Sequence, residues 1–320
     1  MPNFWQQINK PILALAPMAG ITDSAFRQLC RLYGADVVYS EMTSADGLFF
    51  EGKKTLEMLK FEKAEQPLVV QLFGKDPAKF GEAARIVEKS GAGGIDINFG
   101  CPARKVVGHG GGVTLIRDLN LCYQLIKQTI DNTKLPVSVK VRTSIKSKIG
   151  KKVTVIDFLK KMADLPISAV MIHGRSYEQG FSGEIDYQMI KEAGKYFKGT
   201  ILANGGVNSP EDAKELLKKT KADGLGLARG TYGRPWLFQQ IKDYLKTGKF
   251  EEPSWPEKKQ IILKHAQLAL KTKGEHGLIE LRKHLLWYVK GLPNASDLRT
   301  ELVRVESIKD IEKILAEIHG

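Results

Sequence analysis

A cysteine stands where a short apolar segment ends, about a third of the way along the chain. Cys101 is followed by Pro102 and, after one alanine, by Arg104 and Lys105, in the stretch DINFGCPARKV at 96–106. The end of a strand and the loop after it are where many α/β enzymes carry their reactive groups. Cys101 is therefore the first candidate for chemistry, and its role depends on the residues around it.

The other two cysteines have a plainer interpretation. Cys30 and Cys122 lie in stretches with helical periodicity and are predicted to be small buried hydrophobic residues. Three cysteines without a CxxC spacing argue against a disulfide framework and against a structural zinc site. We therefore predict no metal, and a reducing cytoplasmic setting fits this cysteine usage best.

Polar residues also close the other apolar segments. Lys140 is open to three interpretations: a Schiff-base lysine, a structural ion-pair partner, or a cation beside an electron-rich cofactor. His173 has no second histidine at metal-ligand spacing, and a lone histidine is more often a core residue than a catalyst. Glycine-rich turns follow two further segments, at 204–206 and 228–230. Backbone N–H groups in such turns receive anions, so a phosphate-bearing ligand is predicted.

Eight short β-rich segments carry these residues. They are found at 12–16, 36–41, 67–73, 94–98, 136–141, 168–173, 200–204 and 224–228. Helical patterns such as 78–91 and 210–221 separate them. This alternation predicts an α/β fold with parallel strands, and eight units favour a (β/α)8 TIM barrel over a doubly wound sheet. In a barrel, all the polar strand ends meet at one face.

The pattern changes after Trp236, because no further strand is predicted. The segment EEPSWPEKK at 251–259 is interpreted as a linker, and three helical patterns follow it. One pattern is predicted to begin at Ser307, which Asp310 would cap reciprocally. Another places four apolar side chains on one face: Leu278, Leu281, Leu285 and Tyr288. We therefore divide the chain into a barrel domain, 1–245, and a small C-terminal all-helical domain, 246–320.

The composition indicates a polyanionic partner and no membrane span. The 320 residues carry a net charge of +13, and no run approaches the roughly 20 apolar residues of a membrane helix. The loop RTSIKSKIGKK at 142–152 has five basic residues and no acid, and Arg104, Lys105 and His109 lie beside Cys101. Such a run is usually a solvated surface, but around a pocket it is interpreted as a funnel for phosphates.

Six blocks, taken in order along nearly the whole chain, resemble the signature blocks of tRNA-dihydrouridine synthases. They are APMAGITDSAFR (16–27), DINFGCPARKV (96–106), VKVR (139–142), HGRSYEQGFSGEIDY (173–187), ANGGV (203–207) and GRPWLF (233–238). The segment RKHLLWYVKGLPNASDLR at 282–299 is similar to the bacterial DusB-like branch of that family.

This resemblance implies an FMN-dependent barrel that uses NADPH, or NADH, to reduce the C5=C6 bond of a uridine in the D-loop of tRNA. Cys101 corresponds to the proton donor, and Asn98 would face the uracil. The matching blocks imply the residues that hold FMN: Ala16, Pro17, Met18, Gln71, Lys140, His173, Asn204, Gly205, Gly206, Ala228 and Arg229. Lys105, Arg142, Arg282 and Lys283 are expected to bind tRNA, with the helical domain gripping it. The chain is expected to be a monomer.

Three other functions remain open on the sequence alone. A second kind of FMN barrel, resembling dihydroorotate dehydrogenase, would act on a small pyrimidine and would need neither the basic rim nor the helical domain. An RNA-binding barrel without flavin would purify colourless. An aldolase acting through Lys140 would be trapped by borohydride with its substrate and would also lack flavin.

Overall fold

A computed structural model describes residues 3–108, 110–147 and 149–318, except for the side chain of Lys105. Ten strands are present: β1 (Ile12–Leu15), β2 (Val37–Ser44), β3 (Leu68–Phe73), β4 (Gly94–Phe99), β5 (Val137–Arg142), β6 (Ser144–Lys146), β7 (Lys152–Thr154), β8 (Ala169–His173), β9 (Thr200–Asn204) and β10 (Gly224–Leu227). Eight of them pair in parallel and close into a barrel in the order β1-β10-β9-β8-β5-β4-β3-β2, which confirms the predicted fold.

Ten helices accompany the barrel. They are α1 (Ser24–Leu32), α2 (Ala45–Phe49), α3 (Lys53–Glu57), α4 (Pro77–Lys89), α5 (Arg104–Gly108), α6 (Leu119–Asp131), α7 (Val155–Lys161), α8 (Tyr187–Ala193), α9 (Pro210–Thr220) and α10 (Leu237–Thr247). Side-chain caps fix where they begin: Asp23 accepts from Phe26 N, and Ser209 and Asp212 form a reciprocal capping box at α9.

The interior of the barrel is apolar at one end and polar at the other. Trp5, Ile12, Tyr39 and Met171 belong to a buried cluster that fills the lower interior. Above this cluster the inward side chains become amides and charges, with Gln71 among them and fully buried. Burying such groups is costly unless they are hydrogen-bonded, so the upper end of the barrel is where a functional site is expected.

The basic loop at 142–152 was predicted as an irregular loop, but part of it is a hairpin. Strands β6 and β7 pair antiparallel, with Lys146 opposite Lys152. Ile149 stands at the tip with 89% of its side chain exposed. The sequence reading missed the hairpin because its strands are only three residues long. Lys148, within this basic loop, and His109 lie outside the described residues, so their predicted roles stay predictions.

Four helices follow the barrel instead of the three that were predicted: α11 (Trp255–Lys273), α12 (Glu275–Tyr288), α13 (Ala295–Leu302) and α14 (Ile308–Ala316). The linker prediction at 251–259 is partly wrong, because α11 begins inside it. Ser254 caps that helix, with its N–H donating to Glu257 Oε2 at 2.7 Å, and Pro256 is tolerated in the first turn. The sequence of α13 shows no periodic apolar face, because Leu302 is the one residue of this helix that is buried.

The helical region packs directly onto the barrel. Leu281 and Leu285 of α12 share one buried cluster with Ala25 and Leu29 of α1, which confirms the predicted apolar face. The predicted boundary between residues 245 and 246 falls near the end of α10, and the division into two domains stays a prediction. Across the described part of the chain, no helix has both the length and the apolar character to span a membrane.

Candidate active site

A cavity of about 450 Å³ opens at the carboxyl ends of the barrel strands. All of the residues that were predicted to hold a cofactor line it: Ala16, Pro17, Met18, Gln71, Lys140, His173, Asn204, Gly205, Gly206, Ala228 and Arg229. Cys101, Asn98 and Arg142 also line it. The structure thus brings these residues from the ends of seven different strands into one site.

The charged side chains that line the cavity are all cationic. Lys140, Arg142, Arg175 and Arg229 face it, and no carboxylate occurs among its described lining residues. Four cations without a counter-ion raise the electrostatic potential of a concave, partly apolar site. The cavity is therefore suited to a ligand that carries negative charge.

Lys140 is held by an amide rather than by a carboxylate. Its Nζ donates to Asn204 Oδ1 at 2.9 Å, and Asn204 Nδ2 donates to the Gly226 carbonyl at 2.6 Å. No carboxylate in the described part of the chain lies within ion-pair distance of Lys140, so the structural ion-pair interpretation is not supported. Burial, followed by the neighbouring Arg142, lowers the pKa of Lys140 to about 8.

Asn98 holds the backbone at the candidate cysteine. Its Oδ1 accepts from the N–H groups of Gly100 at 3.0 Å and of Cys101 at 2.9 Å. Val113 N donates to the Cys101 carbonyl at 3.1 Å, so both the backbone N–H and the carbonyl of Cys101 are hydrogen-bonded. Burial raises the pKa of the Cys101 thiol, which keeps the thiol protonated at neutral pH. A protonated thiol is a proton donor, not a nucleophile.

The two glycine-rich turns lie against each other and against His173. A Cβ on Gly205, whose φ is +106°, would stand 2.6 Å from His173 Cδ2, and one on Gly230 would stand 2.2 Å from the Val207 carbonyl. Burial, followed by the neighbouring cations, lowers the pKa of His173 to about 2. His173 is therefore a neutral imidazole packed against the turn.

Arg142 is buried and binds two loops at once. Its Nε donates to the Gly100 carbonyl at 2.9 Å, and its Nη1 donates to the carbonyls of Ser176 at 2.9 Å and Gly180 at 2.7 Å. These bonds join the cysteine loop to the loop after β8. Phe181 of that second loop lies under Arg142, with its ring centroid 5.5 Å from the guanidinium carbon. Arg142 thus shapes the cavity wall as well as facing the interior.

The other predicted tRNA-binding residues lie apart from the cavity. Arg282 is half-buried, and its Nε donates to the Val305 carbonyl at 3.0 Å within the helical region. Lys283 points toward the loop after β1, with Nζ 3.9 Å from where a Cβ would stand on Gly20. The side chain of Lys105 lies outside the part that the structure describes.

Sequence reasoning missed several residues of the site. Arg175 and Phe181 lie in the quoted block at 173–187 but were not chosen, and three other lining residues lie outside the quoted blocks: Met42, Asn208 and Tyr232. Asp96 was missed as well, although an acid inside the apolar segment GIDIN was a visible signal. It is fully buried beneath the cavity, and burial raises its pKa to about 6.

Comparisons with known proteins identify the family of this chain. The family model described as "Dihydrouridine synthase (Dus)" matches residues 14–319. A "Probable tRNA-dihydrouridine synthase" of Rickettsia conorii is 36% identical over 311 residues, covering 96% of this chain and 93% of the relative. A "tRNA-dihydrouridine synthase B" of Pseudomonas aeruginosa is 37% identical over 296 residues, covering 92% and 88%.

Solved structures of other enzymes share the barrel. Histamine dehydrogenase from Rhizobium sp. 4-9 aligns with a TM-score of 0.56 at 10% identity, over 80% of this chain and 48% of that one. An old yellow enzyme homologue from Zymomonas mobilis aligns with a TM-score of 0.51 at 14% identity, over 79% and 95%. At these identities the likeness concerns the fold alone.

Proposed function

Because the chain belongs to the dihydrouridine synthase family, we propose that it reduces the C5=C6 bond of a D-loop uridine in tRNA to 5,6-dihydrouridine. FMN is the cofactor and NADPH, or NADH, the reductant. The observation that carries this proposal is one cavity in which a protonated Cys101 and four cations face the same space.

The residues of the cavity fit FMN. A flavin needs an apolar surface for its ring, donors and a cation along its electron-rich edge, and an anion site for its phosphate. Pro17 and Met18 supply apolar surface, Lys140 and Gln71 supply the polar edge, and Arg229 with the turn at 204–206 supplies the anion site. The volume of about 450 Å³ lies within the range of ordinary ligand sites.

The residues named above would hold FMN, which would supply a hydride for C6 of the uracil ring. Cys101 donates the proton from Sγ to C5, and the thiolate that remains is reprotonated from solvent before the next turnover. Asn98 holds the backbone of Cys101 and lies next to the uracil position. Lys140 and His173 line the same cavity, and the cation of Lys140 would stabilise negative charge on the flavin.

A uridine in folded tRNA must leave its stack to reach this cavity. The basic hairpin of β6 and β7, with Lys105, binds backbone phosphates on one side of the opening. Arg142 is buried and bonded to three backbone carbonyls, so it meets the substrate only from the cavity wall. Arg282 and Lys283 bind them on the side of the helical region, which grips the tRNA. Phosphate contacts position the tRNA, while the cavity selects the base. The cytoplasmic location and the monomeric state stay predictions.

The test is turnover on tRNA that lacks dihydrouridine. The purified protein should be yellow, and with NADPH it should add two hydrogens to a D-loop uridine, located by mass spectrometry of nuclease fragments. Free uridine and dihydroorotate serve as the small-pyrimidine comparison and should not turn over. A colourless protein contradicts the flavin, and turnover of a small pyrimidine without tRNA reduction supports the dihydroorotate dehydrogenase-like alternative.

A further inference from the structure

A line of hydrogen bonds runs from a buried carboxylate to the backbone of Cys101. Gln71 Nε2 donates to Asp96 Oδ2 at 2.7 Å, and Asn98 Nδ2 donates to Gln71 Oε1 at 2.9 Å. The N–H of Cys101 then donates to Asn98 Oδ1 at 2.9 Å. Ser138 Oγ occupies the other carboxylate oxygen, donating to Asp96 Oδ1 at 2.7 Å. Asp96 itself does not line the cavity.

Each bond in this line fixes the direction of the next one. A carboxylate only accepts hydrogen bonds, whereas an amide carries a donor at one end and an acceptor at the other. Asp96 therefore requires the NH2 group of Gln71, which turns Gln71 Oε1 toward Asn98. That oxygen requires the NH2 group of Asn98, which leaves Asn98 Oδ1 for the N–H groups at Gly100 and Cys101. Without the Asp96 carboxylate, the side-chain amide of Gln71 or of Asn98 can rotate by half a turn. The NH2 group of Asn98 would then face the backbone N–H groups of Gly100 and Cys101, which cannot accept a hydrogen bond from it.

Burial of the Asp96 carboxylate is unfavourable, and packing of the barrel interior does not require a charged residue at this position. Its side chain is 0% exposed, and the described residues offer it no ion pair. The charged and titratable groups that interact with Asp96 are Lys140 from β5 and Tyr39 from β2. An apolar residue at this place in the strand would pack at lower cost.

We propose that Asp96 is a positioning residue: by fixing the amide orientations of Gln71 and Asn98, it holds the backbone at Cys101 so that the thiol meets the substrate. This inference rests on the proposed function, since it gives the thiol a substrate to meet. Asp96 touches neither the substrate nor the reacting atoms, and it acts through the two amides.

The first test is a single-turnover measurement on the flavin-loaded protein with dihydrouridine-free tRNA. Asp96→Leu keeps the branched shape of the side chain and removes both acceptor oxygens. Because small displacements of reacting groups cost large factors, its rate of tRNA reduction should fall by roughly 100-fold. The affinity for tRNA should stay at the wild-type value, and the rates are compared at equal flavin occupancy because Gln71 also lines the flavin site. Asp96→Asn keeps one acceptor oxygen for Gln71 and should recover most of the rate.

Ser138→Ala is the matched control. It removes the other hydrogen bond to the same buried carboxylate and leaves the Gln71 bond in place. It should lower the melting temperature about as much as Asp96→Leu does, or less, but keep the rate. Wild-type rates in Asp96→Leu, or equal losses in Asp96→Leu, Asp96→Asn and Ser138→Ala, would overturn the positioning role.

A second measurement does not depend on activity or on full stability of the Leu variant. Selective ¹⁵N labelling of cysteine gives three amide signals, from Cys30, Cys101 and Cys122, and Cys101→Ser assigns one of them. In Asp96→Leu, or in Asp96→Ala if the first variant is unstable, the Cys101 amide signal should move while the other two stay. A Cys101 signal unmoved in both variants overturns the inference, whereas a shift without any tRNA reduction by wild type contradicts only the proposed function.

Discussion

The phenol ring of Tyr232 stacks on the indole ring of Trp287, with the ring centroids 4.0 Å apart and the planes inclined by 15°. Tyr232 lines the cavity, and Trp287 belongs to α12 of the helical region. The chain is close here too, since a Cβ on Gly233 would stand 2.5 Å from the Trp287 carbonyl carbon. The helical region is therefore attached to the wall of the cavity itself.

This contact predicts that Trp287→Ala weakens both the fold and the grip on tRNA. Loss of a half-buried stacked indole should lower the free energy of unfolding by about 2 kcal/mol. Affinity for tRNA should fall more than flavin content does, because the helical region loses its stacking contact with the cavity wall. Trp287→Phe, which keeps a stacking ring, is the control and should recover most of both losses. Chemical denaturation and tRNA binding in the Ala variant at wild-type values would contradict the prediction.

Arg229→Glu should yield protein that is largely free of flavin. The substitution puts a negative charge beside the turn at 204–206, where the account places the phosphate. Flavin content is measured as the ratio of visible to ultraviolet absorbance. Lys218→Glu on α9 is exposed and makes the same change of charge away from the cavity, so it should retain FMN. Full FMN in Arg229→Glu would mean that the phosphate site is misplaced.

Lys283 and Arg282 should affect tRNA binding alike but differ in their effects on stability. Lys283→Ala should flatten the dependence of log K on log salt by roughly 0.7–0.9 units, the effect of one lost phosphate contact. Arg282→Ala should flatten it similarly but also lower the melting temperature, because Arg282 binds the Val305 carbonyl. Oxidation of NADPH by the flavin should not change in either variant. Salt slopes equal to that of wild type would mean that α12 faces away from the tRNA.

Stability should fall as the pH decreases from about 6.5 toward 4. Burial lowers the pKa of His265 to about 4 and that of His284 well below its ordinary value. The unfolded chain then binds protons first, so stability that is complete above pH 6.5 is lost as the pH falls. His265 alone contributes a loss of about 2 kcal/mol at pH 5. Burial raises the pKa of Asp96 to about 6, so the folded state binds this proton first and Asp96 stabilises the fold as the pH falls. Asp96 is a single group, whereas His265 and His284 both act in the other direction.

Urea denaturation at pH 7 and pH 5 measures this loss. His265→Gln keeps a polar partner for the Tyr288 hydroxyl, which lies 3.0 Å from His265 Nδ1, and should reduce the difference between the two pH values. His276→Gln, at an exposed position in α12, is the control for substitution of a histidine. An undiminished pH difference in His265→Gln would contradict the assignment.

The strand ends were predictable because β-rich segments and glycine-rich turns are local signals. Cys101, Lys140 and the turn at 204–206 each lie at or just after the end of such a segment, and barrel closure alone brings them together. The role of Asp96 was not predictable, because it depends on which neighbouring strands present Gln71 and Ser138. Cross-strand partners follow from the register of the closed barrel, which no single segment encodes.

In the helical region too, features encoded by neighbouring residues could be predicted, whereas contacts that depend on helix packing could not. The capping box at Ser307 and Asp310 is written in four consecutive residues and was found from them. The hydrogen bond of Arg282 to Val305 depends on how two helices pack, so a purely tRNA-binding role was assigned to a side chain that also has a structural bond.

The central claim is that one cavity joins the reduction of flavin to proton delivery by Cys101. Cys101→Ala, loaded with FMN, tests it in two separate half-reactions followed by stopped-flow absorbance. The account predicts that NADPH reduces the flavin at the wild-type rate, and that dihydrouridine-free tRNA then reoxidises it far more slowly than in wild type, because only the proton donor is missing. Reoxidation by tRNA at the wild-type rate, with normal dihydrouridine in the product, would contradict the account.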